Sequence, residues 1–211
     1  VVGKVSRKLC IGIDPDLHSS GIAFVAEDTG ELVGVAVLRE IVKKKGREAC
    51  VEAAVRIAGF QKLEYPFYPF IWETEWPDSI FAAAAVEGQE AVYAAKHGAG
   101  PRPLILLAHV SGAWLNALAP MTANLYLPAP AEWKGQVPKH IKQGRIAAKI
   151  GVEVDVVCPS SPYCVPKDPS KIPGGDKIKK AEWSEVFDAI GLALYAREQY
   201  MKEGKKNVRR G

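Results

Sequence analysis

Along the first third of the chain, apolar residues come in short runs that stop at turn-forming or acidic positions. Leu9, Cys10, Ile11 and Ile13 predict a buried strand, with Gly12 allowing close approach of another backbone or a ligand, and the run ends in Asp14. Pro15 stops ladder pairing, and the segment from Asp16 to Gly21 turns the chain. Gly21 to Ala26 then returns as a second strand. Asp28-Thr29-Gly30 signals a hairpin turn, and Glu31 to Glu40 alternates as a third, antiparallel strand. From Arg47 to Lys62 the period changes. Cys50, Ala54, Ile57 and Ala58 recur at helical spacing, and Val51 and Val55 widen the same face. The pattern is a three-stranded meander followed by a crossover helix.

Glu64 to Pro77 breaks the pattern with three prolines among dense aromatics, so residues 64–78 read as an insertion, folded on the core or exposed to a partner. Ser79 to Val86 predicts a buried strand that runs straight into Glu87, a second carboxylate at a strand end. Glu90 to His97 reads as a helix ended by Gly98 and Gly100. Pro103 to Leu118 reads as a helix with Leu104, Leu107, Ala108, Ser111 and Leu115 on one face. Thr122 to Leu127 is a short strand closed by Pro128 and Pro130. Within Glu132 to Ile150, Pro138 suits a first helical turn. Lys139, Lys142, Arg145 and Lys149 then form a basic stripe, opposed by Ile141, Ile146, Ala147 and Ile150. Val152 to Lys179 is rich in Pro, Gly and Lys and reads as a mobile linker. Lys180 to Lys202 is a long helix packed through Val186, Ala189, Ile190, Ala193 and Leu194, with Glu185 and Asp188 three apart on one face.

Composition adds bounds. The 211 residues, 48% of them hydrophobic, suit a single domain with its own core, spanning 1–211. No apolar run reads as long and charge-free enough to span a bilayer, and no basic-then-apolar leader precedes the first strand, so the expectation is a cytoplasmic protein without a membrane partner. Cys10, Cys50, Cys158 and Cys164 do not show a usual zinc spacing and read as reduced thiols. The net charge of +4 is uneven: 16 Lys and Arg face 9 Asp and Glu from Lys134 onward, against 12 and 15 before it. A basic half suits a polyanionic partner, although a solvated cationic face has the same composition.

Four acids, Asp14, Glu87, Glu185 and Asp188, share a pattern: two end apolar strands and two lie on one face of a packing helix. Taken alone, Glu87 and Glu185 read as ordinary surface acids. Brought together, the four repel, by roughly 4 kcal/mol for two unit charges about 4 Å apart at an effective dielectric of 20. Hard divalent cations offset that repulsion, and oxygen ligands suit Mg²⁺ or Mn²⁺.

These motifs resemble those of RuvC-type Holliday junction resolvases, in the RNase H-like nuclease superfamily. IGIDPDLHSSGIAF is similar to the family's first strand and turn, with Asp16 in place of a Gly and Ser20-Gly21 where Thr-Gly is usual. AVEGQEAVYAAK resembles the Val-Glu-Gln stretch and its helix, and EVFDAIGLALYA the last motif, with Glu185 where many members have Asp or His. WKGQVPKHIK looks most like phage-encoded members, which would place the protein in a host cytoplasm. The resemblance spans about Leu9 to Tyr200. It implies an α/β fold with a mixed sheet whose first three strands are antiparallel, flanked by helices. It further implies a homodimer that resolves four-way junctions by paired nicks, leaving 5′-phosphate and 3′-hydroxyl ends. Asp14, Glu87, Glu185 and Asp188 would be catalytic and hold two Mg²⁺ ions, with Mn²⁺ as a substitute. Tyr93 and Lys96 would meet the branch point, while Lys134, Lys139, Lys142, Arg145 and Lys149 suit phosphates.

Other readings share parts of this pattern. The actin-like and sugar-kinase fold also opens with strand, acidic turn, Gly and strand, but no second Asp-x-Gly-Thr strand follows. A non-catalytic DNA-binding protein would need no set of acids. A broader branched-DNA nuclease would use the same four.

Overall fold

The computed structural model describes residues 8–43, 47–59, 81–88 and 101–208. Strands β1 (Leu9–Asp14), β2 (Ser19–Ala26) and β3 (Leu32–Arg39) form the expected antiparallel meander. Helix α1 (Arg47–Ala58) follows, and β4 (Phe81–Val86) then lies parallel to β1. Helix α2 (Pro101–Leu118) leads to the two-residue β5 (Leu125–Tyr126), parallel to β4. The sheet order is 3-2-1-4-5.

Residue parity along the strands divides the core into two layers. Ile11, Ile13, Ile22, Phe24, Ala84 and Val86 face α1 and α2, where Trp114 and Leu118 complete the packing. Cys10, Ala23, Val25, Ala83 and Ala85 face the opposite way, onto the long helix α5 (Trp183–Val208). Small residues let that helix close tightly. A side chain at Gly12 would land on the backbone of Ala189 and Ala193, and one at Gly21 on the carbonyl of Glu185. The expected packing residues Val186, Ala189, Ile190, Ala193 and Leu194 are all buried.

Between β5 and α5 lie the short helix α3 (Pro130–Lys134), helix α4 (Lys139–Lys149) and a two-stranded antiparallel hairpin, β6 (Val154–Val157) and β7 (Tyr163–Pro166). The stretch expected to be a mobile linker, 152–179, is therefore part of the fold. Its prolines and glycines shape single turns of 3-10 helix at Pro169–Lys171 and Gly175–Lys177, while Cys164 and Ile172 are buried against α5. The carbonyl of Pro173 also accepts from the N–H of Val35, which covers part of the open edge of β3.

A second expectation is corrected in α2. The 18 residues Leu104–Met121 are long and apolar enough to cross a membrane by length and composition. In the fold, Val110, Trp114, Ala117 and Leu118 of this helix pack on the sheet. The aromatic insertion at 64–78 and the helix at Glu90 to His97 lie outside the described residues.

Candidate active site

Strand parity explains how the acids meet. Asp14 continues the face of Cys10, and Glu87 continues that of Ala83 and Ala85, so both point toward α5. Parallel pairing sets Ile13 beside Val86, and the N–H of Glu87 extends the ladder by donating to the carbonyl of Ile13 at 3.1 Å. Asp188 comes from the opposing helix and is 1% exposed, while Glu87 is 5% exposed. Asp14 is half-buried as a residue, but its carboxyl group is enclosed by protein. The three acids line a cleft of about 770 Å³ together with Lys134, Lys139 and Glu185. A hollow of about 690 Å³ over α1, lined by Leu38, Val51 and Val55, brings no strand-end acids together.

Two lysines supply positive charge inside the cleft. Lys134 Nζ lies 2.9 Å from Glu87 Oε1 and 3.1 Å from Asp188 Oδ2. Lys139 Nζ lies 3.0 Å from the same Asp188 oxygen. Burial opposes the charge on Lys134, but the carboxylates of Asp188, Asp14 and Glu87 outweigh it and hold the ammonium well above the ordinary lysine range. Lys139 shows the same balance, with Asp188 and Asp14 overcoming burial. Asp14 shifts the other way for a carboxylate. Burial first, then the negative charges of Glu87 and Asp188 and a hydrogen bond with Glu87, push its pKa well above the usual range, and Lys134 only partly opposes them.

Glu185 sits one turn before Asp188, and Ser19 Oγ donates to its Oε2 at 2.6 Å. Burial raises its pKa, the Ser19 hydrogen bond lowers it, and the charge of Asp16 raises it again. Glu185 thus lines the same cleft while one oxygen is held by β2.

Among the described residues, no three Asp, Glu, His or Cys side chains close into a ready-made metal cage. The donor chemistry nonetheless fits a hard divalent cation, because the converging groups are carboxylate oxygens. Asp188 Oδ2 is buried without a well-directed hydrogen bond, and the cations beside it are the two ammonium groups. Lys134 and Lys139 stand where positive charge is needed.

The basic stripe divides. Lys139 turns into the acid cluster, Arg145 and Lys149 line a separate groove of about 250 Å³ between α4 and α5, and Lys142 borders both that groove and the acid cleft. There Lys142 Nζ lies 6.0 Å from the centre of the Trp133 ring, and Lys149 pairs with Glu198 at 2.9 Å. Ile141, expected on the apolar side of α4, is exposed, and Gln143 takes the buried place instead. Tyr93 and Lys96 lie outside the described residues. Cys10, Cys50, Cys158 and Cys164 are free thiols. Sequence periodicity marks neither Ser19, expected in a turn, nor Gln143 as part of the site. Their signal is a polar residue on a stripe that otherwise packs inward.

No family model and no curated protein sequence matches the chain. Among solved structures it superposes on T. thermophilus RuvC in complex with a Holliday junction substrate, with a TM-score of 0.54 and 16% identity, covering 93% of this chain and 95% of that one. The fold is RNase H-like. A Thermus thermophilus RuvC structure gives a TM-score of 0.47 at 15% identity, over 91% of this chain and 93% of that one. At these identities the likeness to RuvC is one of fold. The five-stranded sheet, with its first three strands antiparallel and helices on both faces, agrees with the architecture expected from the motifs.

Proposed function

We propose that this protein is a metal-dependent, structure-selective endonuclease that resolves four-way DNA junctions by paired nicks, leaving 5′-phosphate and 3′-hydroxyl ends. The observation that carries this reading is the meeting of Asp14 and Glu87, from adjacent parallel strand ends, with Asp188 on α5. The superposition on a RuvC solved with a Holliday junction supports the choice of branched DNA as substrate.

Asp14, Glu87 and Asp188 would hold Mg²⁺, with Glu185 at the edge of the set. When bound, the metal supplies Lewis acidity that activates water and offsets charge on the leaving oxygen. The remaining work falls to the chain itself. Burial of Glu87 and Asp188 limits solvent around the acids and strengthens every charge interaction there. Lys134 and Lys139 neutralise the carboxylates when no other cation is present, and their flexible stems let the ammonium groups turn to phosphate oxygens. Lys142 and Arg145 lie on the α4 surface next to the cleft, placed for backbone phosphates, which fix position without reading sequence. Cutting two opposed strands requires two such sites, hence a homodimer.

The test is incubation with a synthetic four-way junction, a flap and a linear duplex, with and without Mg²⁺. Symmetric nicking of the junction alone, only with metal, is the expected result. Equal cutting of the flap would make the enzyme a broader branched-DNA nuclease. Binding without cutting at any metal concentration would make it a DNA-binding protein and defeat the proposal.

A further inference from the structure

Gln143 is a polar side chain at a helix position that packing would fill with an apolar one. It has no exposed surface and lies three and four residues before the buried Ile146 and Ala147. A buried amide is costly unless its groups are bonded. Here its oxygen and nitrogen both are. Nε2 donates to the carbonyl of Ser184 at 2.9 Å and to Asp188 Oδ1 at 3.1 Å. Oε1 accepts from the N–H of Cys164 at 2.9 Å. One side chain on α4 therefore ties β7 to α5 at the acid of the cleft.

The partners also fix which way the amide faces. Cys164 offers only an N–H, so it requires the oxygen. Ser184 and Asp188 offer only oxygens, so they require the nitrogen. Turning the amide over would set oxygen against oxygen at one end and N–H against N–H at the other. This matters for Asp188 because the terminal torsion of an Asp carboxylate is broad. A donor held on Oδ1 narrows it and leaves Oδ2 as the oxygen facing Lys134 and Lys139.

We propose that Gln143 is a positioning residue that orients Asp188, presenting Oδ2 to the cation of the cleft. The inference rests on the proposed metal-dependent nuclease, and it assigns a role to a residue outside the acidic set. Groups that orient metal ligands typically change metal affinity or activity by about 10–100-fold when removed.

The experiment compares wild type with Gln143→Met, which keeps the approximate volume and loses all three hydrogen bonds. Mg²⁺ binding is measured by calorimetry without DNA, junction affinity in chelator, and single-turnover cleavage against Mg²⁺ concentration. The expected result is Mg²⁺ affinity and cleavage rate each lower by about 10–100-fold, with metal-free junction affinity within about two-fold of wild type, as phosphate contacts carry that affinity. In an Asp188→Asn background the same change should cause little further loss, because Gln143 acts through Asp188. An additive loss in that background, or wild-type Mg²⁺ affinity in Gln143→Met, overturns the proposal. If Gln143→Met does not fold, wild-type protein still decides. The side-chain amide resonances of Gln143 should move during a Mg²⁺ titration, and unmoved resonances in a protein that binds Mg²⁺ overturn the assignment. A wild type that neither binds Mg²⁺ nor cuts junctions removes the nuclease reading itself. A wild type that does both, with Gln143→Met indistinguishable from it, removes only the role of Gln143.

Discussion

Asp14 carries an unfavourable charge in the cleft, being enclosed and facing Glu87 and Asp188. Its folded pKa lies above the unfolded value of about 3.9, so the native state retains this proton longer than the unfolded chain does. The resulting contribution to stability is fully present below about pH 4 and is lost as pH rises through the folded pKa. In metal-free buffer, Asp14→Asn should therefore be more stable than wild type at neutral pH, and the difference should close toward pH 4. Urea midpoints of the two proteins between pH 3.5 and 8, in chelator, provide the check. A gap that widens in acid would contradict the buried-charge assignment. The same variant should lose cleavage by at least about 100-fold, since a metal ligand supports several kcal/mol of transition-state stabilisation. Junction binding should stay close to wild type. At this scale the acids were legible because each interrupts an apolar pattern at a place with known geometry: two strand ends and one helix face. Ser19 and Gln143 were not, because a single polar residue on a packing face differs from a surface residue only through its tertiary partners, Glu185 for one and Asp188 for the other.

Helix α4 shows how one element can serve two sites. Its spacing suggests a single basic stripe, but Lys139, at its first turn, reaches Asp188, Arg145 lines a different groove, and Lys142 borders both. Replacing Lys142 and Arg145 with Ala should weaken junction binding while leaving the acid cluster intact. If each residue meets one phosphate, the slope of log affinity against log salt should fall by about 1.8 on duplex arms. Titrations at several salt concentrations measure this, and an unchanged slope would return both residues to a solvated face. The order of segment 152–179 is hidden from sequence periodicity for a physical reason. Four-residue strands such as β6 and β7 are too short to display a period, and the prolines and glycines that surround them are also what an open linker contains. What orders them is burial of Cys164 and Ile172 against a helix that comes later in the chain. The meander and α5 were legible because their periods run long enough to separate strand from helix.

For the molecule as a whole, the acid cluster is a property of the folded state alone. Residues 14, 87 and 188 are far apart in sequence and meet only when α5 lies on the sheet. A cation bound there should stabilise the native state and not the unfolded one, by about 2.7 kcal/mol at a concentration 100-fold above its Kd. Thermal melting with and without Mg²⁺ should show that upward shift in wild type and little of it in Asp188→Asn. Equal shifts in both would place the ion elsewhere.

The late position of α5 also has a consequence in time. A ribosome adding 5–20 residues per second needs about 5–20 s for the roughly 100 residues between Glu87 and Asp188. For that interval the emerging chain has both strand-end acids but lacks the helix that completes the cluster. Until Asp188 emerges, the nascent chain has no complete acid cluster. Over the same seconds, the sheet face of Cys10, Ala23, Val25, Ala83 and Ala85 awaits its cover, so synthesis is the period in which this chain most needs protection from aggregation.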